Sequence, residues 1–378
     1  MATQGKTVRH LVRSARSLGG STSRQLAASI GSRVLDSTLF HAATIDAETA
    51  SVTATVLAAA ANGPPKHTLS PQVLRAARFK EYMAEHISVL GAGMPEQRVD
   101  RTVSHASSAV PVGVSVFRPR TNPELVRGVY LHIHGGSWLL GGSAWQNDIR
   151  LCAMSERLRI AIVSVDYRLA PDHKWPAPVD DCVTAAAWLV ESSAAEFGTQ
   201  TLVIGGESAG GHLCVSAMLR LRYALGLPLA APYPYCAANL VYGVYDLGGT
   251  PSMRHYGERP LVFNTPDFEQ AVACLLPAEL LRHGPSGRSR PDISPLYAQP
   301  SELAAMPPAL FTVGTDDPLL DDSLFMAARW ASAGSALAVY PGGAHGIGHF
   351  GPHAATALGK RAHARIEEFV GEHLEPPR

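Results

Sequence analysis

Short apolar, β-branched runs recur through the middle and end of the chain, each broken by glycine, proline or a charged residue. They fall at Arg127 to His134, Ile160 to Asp166, Leu202 to Gly206, Ala238 to Asp246, Ala309 to Gly314 and Leu337 to Tyr340. Helical stretches lie between them. Such alternation predicts an α/β fold, with a mostly parallel central sheet covered by helices on both faces. One interval does not fit this rhythm. Between Asp246 and Ala309 the chain is long and irregular, with Pro260, Pro266, Pro277, Pro285 and Pro291, and it reads as an insertion at about 247–292. With helical material at 41–90 it would form a helical cap. The expected organisation is a basic extension at 1–40, N-terminal cap helices at 41–105 and a main domain at 106–378 that carries the insertion. No internal repeat or low-complexity tract interrupts it.

The first 35 residues differ in kind. Lys6, Arg9, Arg13, Arg16, Arg24 and Arg33 precede any acid, the first being Asp36, and Val8, Leu11, Val12, Ala15 and Leu18 share one helical face. This pattern suits a targeting presequence, a segment that touches an anionic membrane surface, or a basic helix resting on the cap. No run reaches the roughly 18 apolar residues of a membrane span, and no secretory apolar region follows the first charges.

Charge and cysteine content narrow the class further. The 32 basic and 32 acidic residues of this 378-residue chain balance, so no global field draws it to nucleic acid. Its five cysteines, Cys152, Cys182, Cys214, Cys236 and Cys274, are scattered and odd in number, without a C-x-x-C pair. They read as reduced thiols, neither a disulfide frame nor a metal site. The expected compartment is the cytoplasm, or an organelle if residues 1–35 are a presequence.

The candidate chemistry lies at the ends of the apolar runs. Gly206-Glu207-Ser208-Ala209-Gly210 follows the run Thr201 to Gly205 and opens a helical stretch. A nucleophilic serine on a sharp strand-to-helix turn needs small residues two places away on either side, as here. Upstream, Val129 to Ile133 breaks into His134-Gly135-Gly136-Ser137-Trp138. Gly135 and Gly136 are expected to offer N–H groups to a developing oxyanion, with the N–H of Ala209 as a third donor. Downstream, Pro308 to Gly314 leads into a loop with Asp316, Asp317, Asp321 and Asp322, and Ala336 to Tyr340 leads into His345 and His349. The order serine, acid, histidine is one of three common among serine hydrolases.

With these residues in view, the chain resembles the hormone-sensitive-lipase-like, family IV carboxylesterases of the α/β-hydrolases. The likeness rests on His134-Gly135-Gly136, Asp166-Tyr167-Arg168-Leu169-Ala170-Pro171, Gly206 to Gly211, Ser294-Pro295-Leu296, Asp317-Pro318-Leu319 and His345-Gly346, and covers about residues 105–375. It implies the α/β-hydrolase fold with a cap, and Ser208, Asp317 and His345 as a catalytic triad. It also implies hydrolysis of short- to medium-chain carboxylic esters without metal or cofactor. The partner is then a small-molecule ester, with a homodimer left open. Arylformamidase, lactonase and deacetylase activities share the fold, and receptor-like binding proteins share the branch but lack the histidine that His345 supplies.

Three positions depart from the family pattern: Ser137 where a third glycine is usual, Glu207 where aspartate is usual, and Ile347 where phenylalanine is frequent. Glu207 is expected beneath the elbow, where a buried carboxylate needs a partner such as Arg168. His132 and His134, two apart, share a strand face, His134 bracing the loop and His132 packed or facing solvent. His212 is expected to pack within the helix after Ser208. His349 is the competing base, and Asp316, Asp321 and Asp322 read as helix-capping or solvated acids.

Overall fold

A computed structural model describes residues 35–61, 63–90, 97–142, 147–330, 332 and 334–374, with 82–90 as helical backbone. Residues 1–34, which hold nearly all of the basic amphipathic segment, lie outside the described residues. The chain divides into a unit ending at His41 and a second from Ala42 onward. In the first, a 3₁₀ turn at Ser37–Phe40 is capped by Asp36, whose Oδ1 accepts the Thr38 N–H at 2.9 Å.

The second unit is built on eight strands: β1 (Arg98–Val103), β2 (Val112–Phe117), β3 (Val129–Ile133), β4 (Ala161–Asp166), β5 (Leu202–Glu207), β6 (Ala237–Val241), β7 (Ala309–Asp316) and β8 (Ala336–Ala344). Their order across the sheet is β1-β2-β4-β3-β5-β6-β7-β8, antiparallel at β1/β2 and β2/β4 and parallel from there on. All six expected strands are present, and the α/β-hydrolase architecture is the one observed. Two ends shift. The strand expected to reach Asp246 stops at Val241, where Tyr242 turns the chain at φ 34°. The last strand runs past Tyr340 to Ala344 through an irregularity in its pairing at Gly314 to Asp316.

Strand periodicity divides the interior into two cores. Val129, Leu131 and Ile133 of β3 enter one with Leu202 and Ile204 of β5, while Tyr130 and Val203 enter the other. Helices α4 (Ala177–Phe197) and α5 (Ala209–Ala224) close the first core with Val179, Leu189, Leu213 and Val215. Helices α3 (Asp148–Leu158) and α13 (Ala357–Glu372) close the second with Leu151, Ile366 and Phe369. Both faces of the sheet are thus covered, which is why the parallel strands read as unbroken apolar runs.

The outer antiparallel strands were not among the expected elements. β1, Arg-Val-Asp-Arg-Thr-Val, is an edge strand whose charges blunt its open side. The sheet therefore begins at Arg98, upstream of residue 106. Before it come α1 (Ala47–Ala60) and α2 (Pro71–Leu90). The 247–292 segment folds as four short helices, α6 (Pro251–His255), α7 (Thr265–Leu275), α8 (Ala278–Leu281) and α9 (Gly284–Arg288). Prolines open α6, α7 and α9, where a missing N–H costs nothing. The remaining helices are α10 (Pro300–Ala304), α11 (Leu320–Arg329) and α12 (Gly351–Ala355).

At Gly314 β7 and β8 approach so closely that a Cβ would stand 1.9 Å from the Gly343 carbonyl oxygen. Gly314→Ala is expected to lower the unfolding free energy by about 1–3 kcal/mol or more. Gly63→Ala, with nothing within 4 Å of its Cβ position, should change it by less than about 0.5 kcal/mol. Urea unfolding of both variants measures the difference, and equal stabilities would show that the strands part without cost.

Candidate active site

Ser208 stands between β5 and α5 at φ 56° and ψ −121°, a conformation that L-residues rarely adopt. The flanking glycines make the turn feasible. A Cβ on residue 206 would lie 2.5 Å from the Ile133 carbonyl oxygen, and one on residue 210 would lie 2.0 Å from it. The elbow is therefore pressed against the end of β3, and the Ser208 N–H is tied to the Val241 carbonyl at 2.9 Å.

Three sequence-selected side chains meet at this turn. His345 Nε2 is 2.9 Å from Ser208 Oγ, and His345 Nδ1 is 3.0 Å from Asp317 Oδ2 and 3.1 Å from Oδ1. All three residues are buried. Asp317 Oδ1 also accepts the Leu319 N–H at 2.9 Å, which fixes the carboxylate where the loop leaves β7. An Nδ1–H held by a carboxylate leaves the Nε2 lone pair facing the serine proton. His349 is not in this chain of bonds; it sits edge-on to Tyr242, with ring centroids 5.7 Å apart.

The loop after β3 takes three left-handed residues in a row, Gly136 at φ 120°, Ser137 at φ 54° and Trp138 at φ 60°. For the two that are not glycine this costs of order 1–3 kcal/mol each. The surroundings impose it. Leu139 and Leu140 N–H groups both close onto the Gly136 carbonyl, and the Ala170 N–H is bonded to the Trp138 carbonyl at 3.0 Å. The fully buried Trp138 donates from Nε1 to His212 Nδ1 at 3.1 Å, and His212 Nε2 donates to the Ile293 carbonyl at 2.9 Å. His212 thus does more than pack within its helix: it braces the loop. Burial holds its ring down at about 4. The His134 ring is likewise held at about 4 by burial, and its Nδ1 donates to the Gly135 carbonyl at 2.8 Å.

Gly135 departs from expectation. Its N–H is directed at Glu207 Oε1, 3.3 Å away, and so is engaged beneath the loop instead of facing an oxyanion. Glu207 departs too. Arg168 pairs with Asp181 at 2.7 Å, while Glu207 is held by His132 Nε2 at 3.1 Å, Asn147 Nδ2 at 3.2 Å and Arg150 at 3.6 Å. Burial pushes this carboxyl up, but His132, Arg150 and His349 outweigh it and leave it well below the usual carboxylate range. His132 is buried, the packed setting of the two expected, and it is also bonded, with Nδ1 on Ser164 Oγ at 2.9 Å. Ala209 opens the 16-residue helix α5, where an N–H lacks an intrahelical partner and the helix dipole favours negative charge.

The other acids of the final loops are structural. Asp322 is fully buried, not solvated, and accepts the Tyr245 and Asp246 N–H groups and the Thr250 hydroxyl. Asp321 accepts the Ser252 N–H at 2.8 Å. Asp316 is gripped by both Nη atoms of Arg259, Nη2 at 2.9 Å. Residues that the sequence did not single out also shape the site. Phe263 lies 5.3 Å from the His345 ring and Tyr242 lies 4.7 Å from it. Arg75 of α2 donates to the Leu139 and Ala170 carbonyls at 2.7 Å each and pairs with Asp172. Only proximity could have found them, since none stands in a motif. Among the described residues no group of three or more His, Cys, Asp or Glu could hold a metal ion, and no helix is long and apolar enough to cross a membrane.

The buried rings of His134 and His212 carry a pH consequence. Their folded values near 4 lie below the ordinary histidine value of about 6.5, so the unfolded chain binds protons first as pH falls. Stability is present above about pH 6.5 and is lost toward pH 4, by up to about 1.4 kcal/mol per pH unit for each ring. Thermal unfolding midpoints should fall between pH 7 and pH 5, and less steeply in His212→Gln. A variant with an unchanged slope would remove His212 from this account.

Residues 130–349 match the family described as alpha/beta hydrolase fold. An ethyl acetate hydrolase of Pseudomonas putida is 31% identical over 238 residues, 61% of this chain and 70% of that protein. The carboxylic ester hydrolase LipN of Mycobacterium tuberculosis is 31% identical over 265 residues, 67% of this chain and 65% of its own. Among solved structures, the Pyrobaculum calidifontis esterase superposes with a TM-score of 0.69 at 24% identity, over 84% of this chain and 97% of its own. A bacterial heroin esterase does so with a TM-score of 0.72 at 22% identity, over 88% of this chain and 99% of its own. With a family match across more than half its length, the chain belongs to the alpha/beta hydrolase fold family.

Proposed function

We propose that the protein is a serine carboxylesterase that hydrolyses short- to medium-chain carboxylic esters through an acyl-enzyme, with Ser208, His345 and Asp317 as its triad. The observation that carries this reading is the continuous run of bonds from Ser208 Oγ to His345 Nε2 at 2.9 Å and from Nδ1 to Asp317 at 3.0 Å. The names of the relatives, an ethyl acetate hydrolase and a carboxylic ester hydrolase, support the substrate class.

In the proposed reaction His345 Nε2 takes the serine proton as Oγ attacks the ester carbonyl, and Asp317 stabilises the imidazolium without itself taking the proton. With the Gly135 N–H engaged by Glu207, the oxyanion falls to the Ala209 amide at the head of α5 and to the amides of Gly136 and Ser137 in the left-handed loop. His345 then protonates the leaving alcohol, and water attacks the acyl-enzyme by the same route. A serine at position 137 serves here because the donor is main chain. Phe263 in the 247–292 segment, which serves as the cap, lies against His345 and narrows the room for a long chain.

Purified protein is expected to release p-nitrophenol from acetate or butyrate esters with a higher kcat/KM than from palmitate. A preference for palmitate would overturn the chain-length reading, and turnover of N-formylkynurenine without ester turnover would move the assignment to amide chemistry. Ser208→Ala and His345→Ala should each lower kcat by roughly 10⁴-fold or more, and the double variant should be little worse. Asp317→Asn should cost up to roughly 10⁴-fold. His349→Ala and Asp321→Ala should cost far less. A folded, inactive His349→Ala protein beside an active His345→Ala protein would reassign the base.

A further inference from the structure

The left-handed loop after β3 holds itself together only in part. Its Leu139 and Leu140 N–H groups close onto the Gly136 carbonyl, and the Ala170 N–H closes onto the Trp138 carbonyl. None of these bonds engages the carbonyls of Leu139 and Ala170. Arg75 of α2 takes both: its Nε donates to the Leu139 oxygen at 2.7 Å and its Nη2 to the Ala170 oxygen at 2.7 Å. Nε and Nη2 share one edge of the guanidinium, so the two carbonyls stand side by side. Alone they would repel each other, whereas a rigid, charged fork laid across both fixes their spacing. The remaining nitrogen, Nη1, pairs with Asp172 at 2.8 Å.

The helix that carries Arg75 is seated by the 247–292 segment. Just ahead of α2, Gln270 of α7 donates to the Leu69 carbonyl at 2.9 Å, and Lys66 donates to the Val262 carbonyl at 2.9 Å. Arg78, three residues on from Arg75 and so on the same face, lies 5.6 Å from the centroid of the Phe350 ring, and Phe350 is edge-on to His345. One face of α2 therefore reaches both the loop after β3 and the loop that carries His345.

We propose that Arg75 is a positioning residue for the reaction: it holds the loop after β3 in the shape that aims the Gly136 and Ser137 amides, and so ties that shape to the seating of the cap. This rests on the ester reading above. Arg75 acts through the main chain of Leu139 and Ala170, not on the substrate. Without its fork the loop is free to relax from its three left-handed residues, and the amides lose their aim. A bound ester makes little use of those donors, while the tetrahedral oxyanion depends on them, so the loss falls on kcat and spares KM.

Turnover of p-nitrophenyl butyrate and inhibition by trifluoroacetone test the proposal together. Ser208 Oγ adds to the ketone carbon, its proton passes to His345 and the ketone oxygen becomes an oxyanion, so the inhibition constant reads the same donors. Arg75→Met keeps the apolar stem and removes the fork. It should lower kcat by roughly tenfold or more, leave KM within about threefold and weaken trifluoroacetone by roughly tenfold or more. Lys80→Met, the same loss of a cation at an exposed position of α2, should leave all three within about twofold. If Arg75→Met does not fold, Arg75→Lys decides, since it keeps the charge without the fork: kcat lowered by roughly threefold or more at unchanged KM supports the proposal, and natural kcat overturns it. A folded Arg75→Met protein with natural kcat, or one whose KM alone rises, would overturn the proposal and leave the ester reading intact. A natural chain that neither turns over the ester nor is inhibited by the ketone would overturn both.

Discussion

Everything at this site depends on one close approach of two backbones. The carbonyl of Ile133, the last residue of β3, lies where a side chain on residue 206 or 210 would have to be. With glycine at both positions the turn carrying Ser208 slides under the strand end. The loop that follows β3 is then forced across the front of the serine. A tetrahedral intermediate needs donors about 3 Å from an oxygen that exists only during reaction, and no flexible side chain could hold that spacing. In the proposed reaction, contact between main chains would hold it without any moving part.

Beneath that contact lies a charge that the fold has had to accommodate. An isolated buried carboxylate is disfavoured by several kcal/mol, whereas one surrounded by donors is retained. Glu207 collects a histidine from β3, an asparagine and an arginine from the neighbourhood of α3, and the Gly135 N–H. Two parts of the chain distant in sequence, 132–135 and 147–150, are therefore drawn to the residue just before Ser208. Trp138 and His212 act similarly on the other side, where a single N–H···N bond links the left-handed loop to the helix that begins at Ala209. Removing Trp138 would take away the hydrogen bond that His212 Nδ1 accepts.

What could be read from sequence was whatever the backbone itself imposes. Gly206 and Gly210 are legible because only glycine fits, and the buried strands are legible because both of their faces are apolar. The order of Ser208, Asp317 and His345 follows from the order of strand ends. Side-chain pairing was not legible in the same way. Arg168 was the plausible neighbour for Glu207 by motif, yet the geometry gives it to Asp181, thirteen residues on, and assigns Glu207 to His132 across the sheet. Asp322 looks like a surface acid at the start of a helix, but it caps the turn after β6 from within. Strand β1 escaped because an antiparallel edge tolerates charge, and β2 because its valines alternate with glycine and serine, so neither has the continuous apolar signature of the inner strands.

The bond between Arg259 and Asp316 ties two histories together. Arg259 belongs to the 247–292 segment that sets Phe263 beside His345, while Asp316 immediately precedes Asp317, whose carboxylate is bonded to His345. Insertions over a conserved frame are commonly treated as exchangeable modules, to be traded between relatives when a new specificity is wanted. In this molecule the exchange is not clean. A foreign segment without an arginine at that place would leave Asp316 unpaired one peptide from Asp317, so on the proposed function the 247–292 segment and the loop of the proposed triad acid must be inherited, or engineered, together.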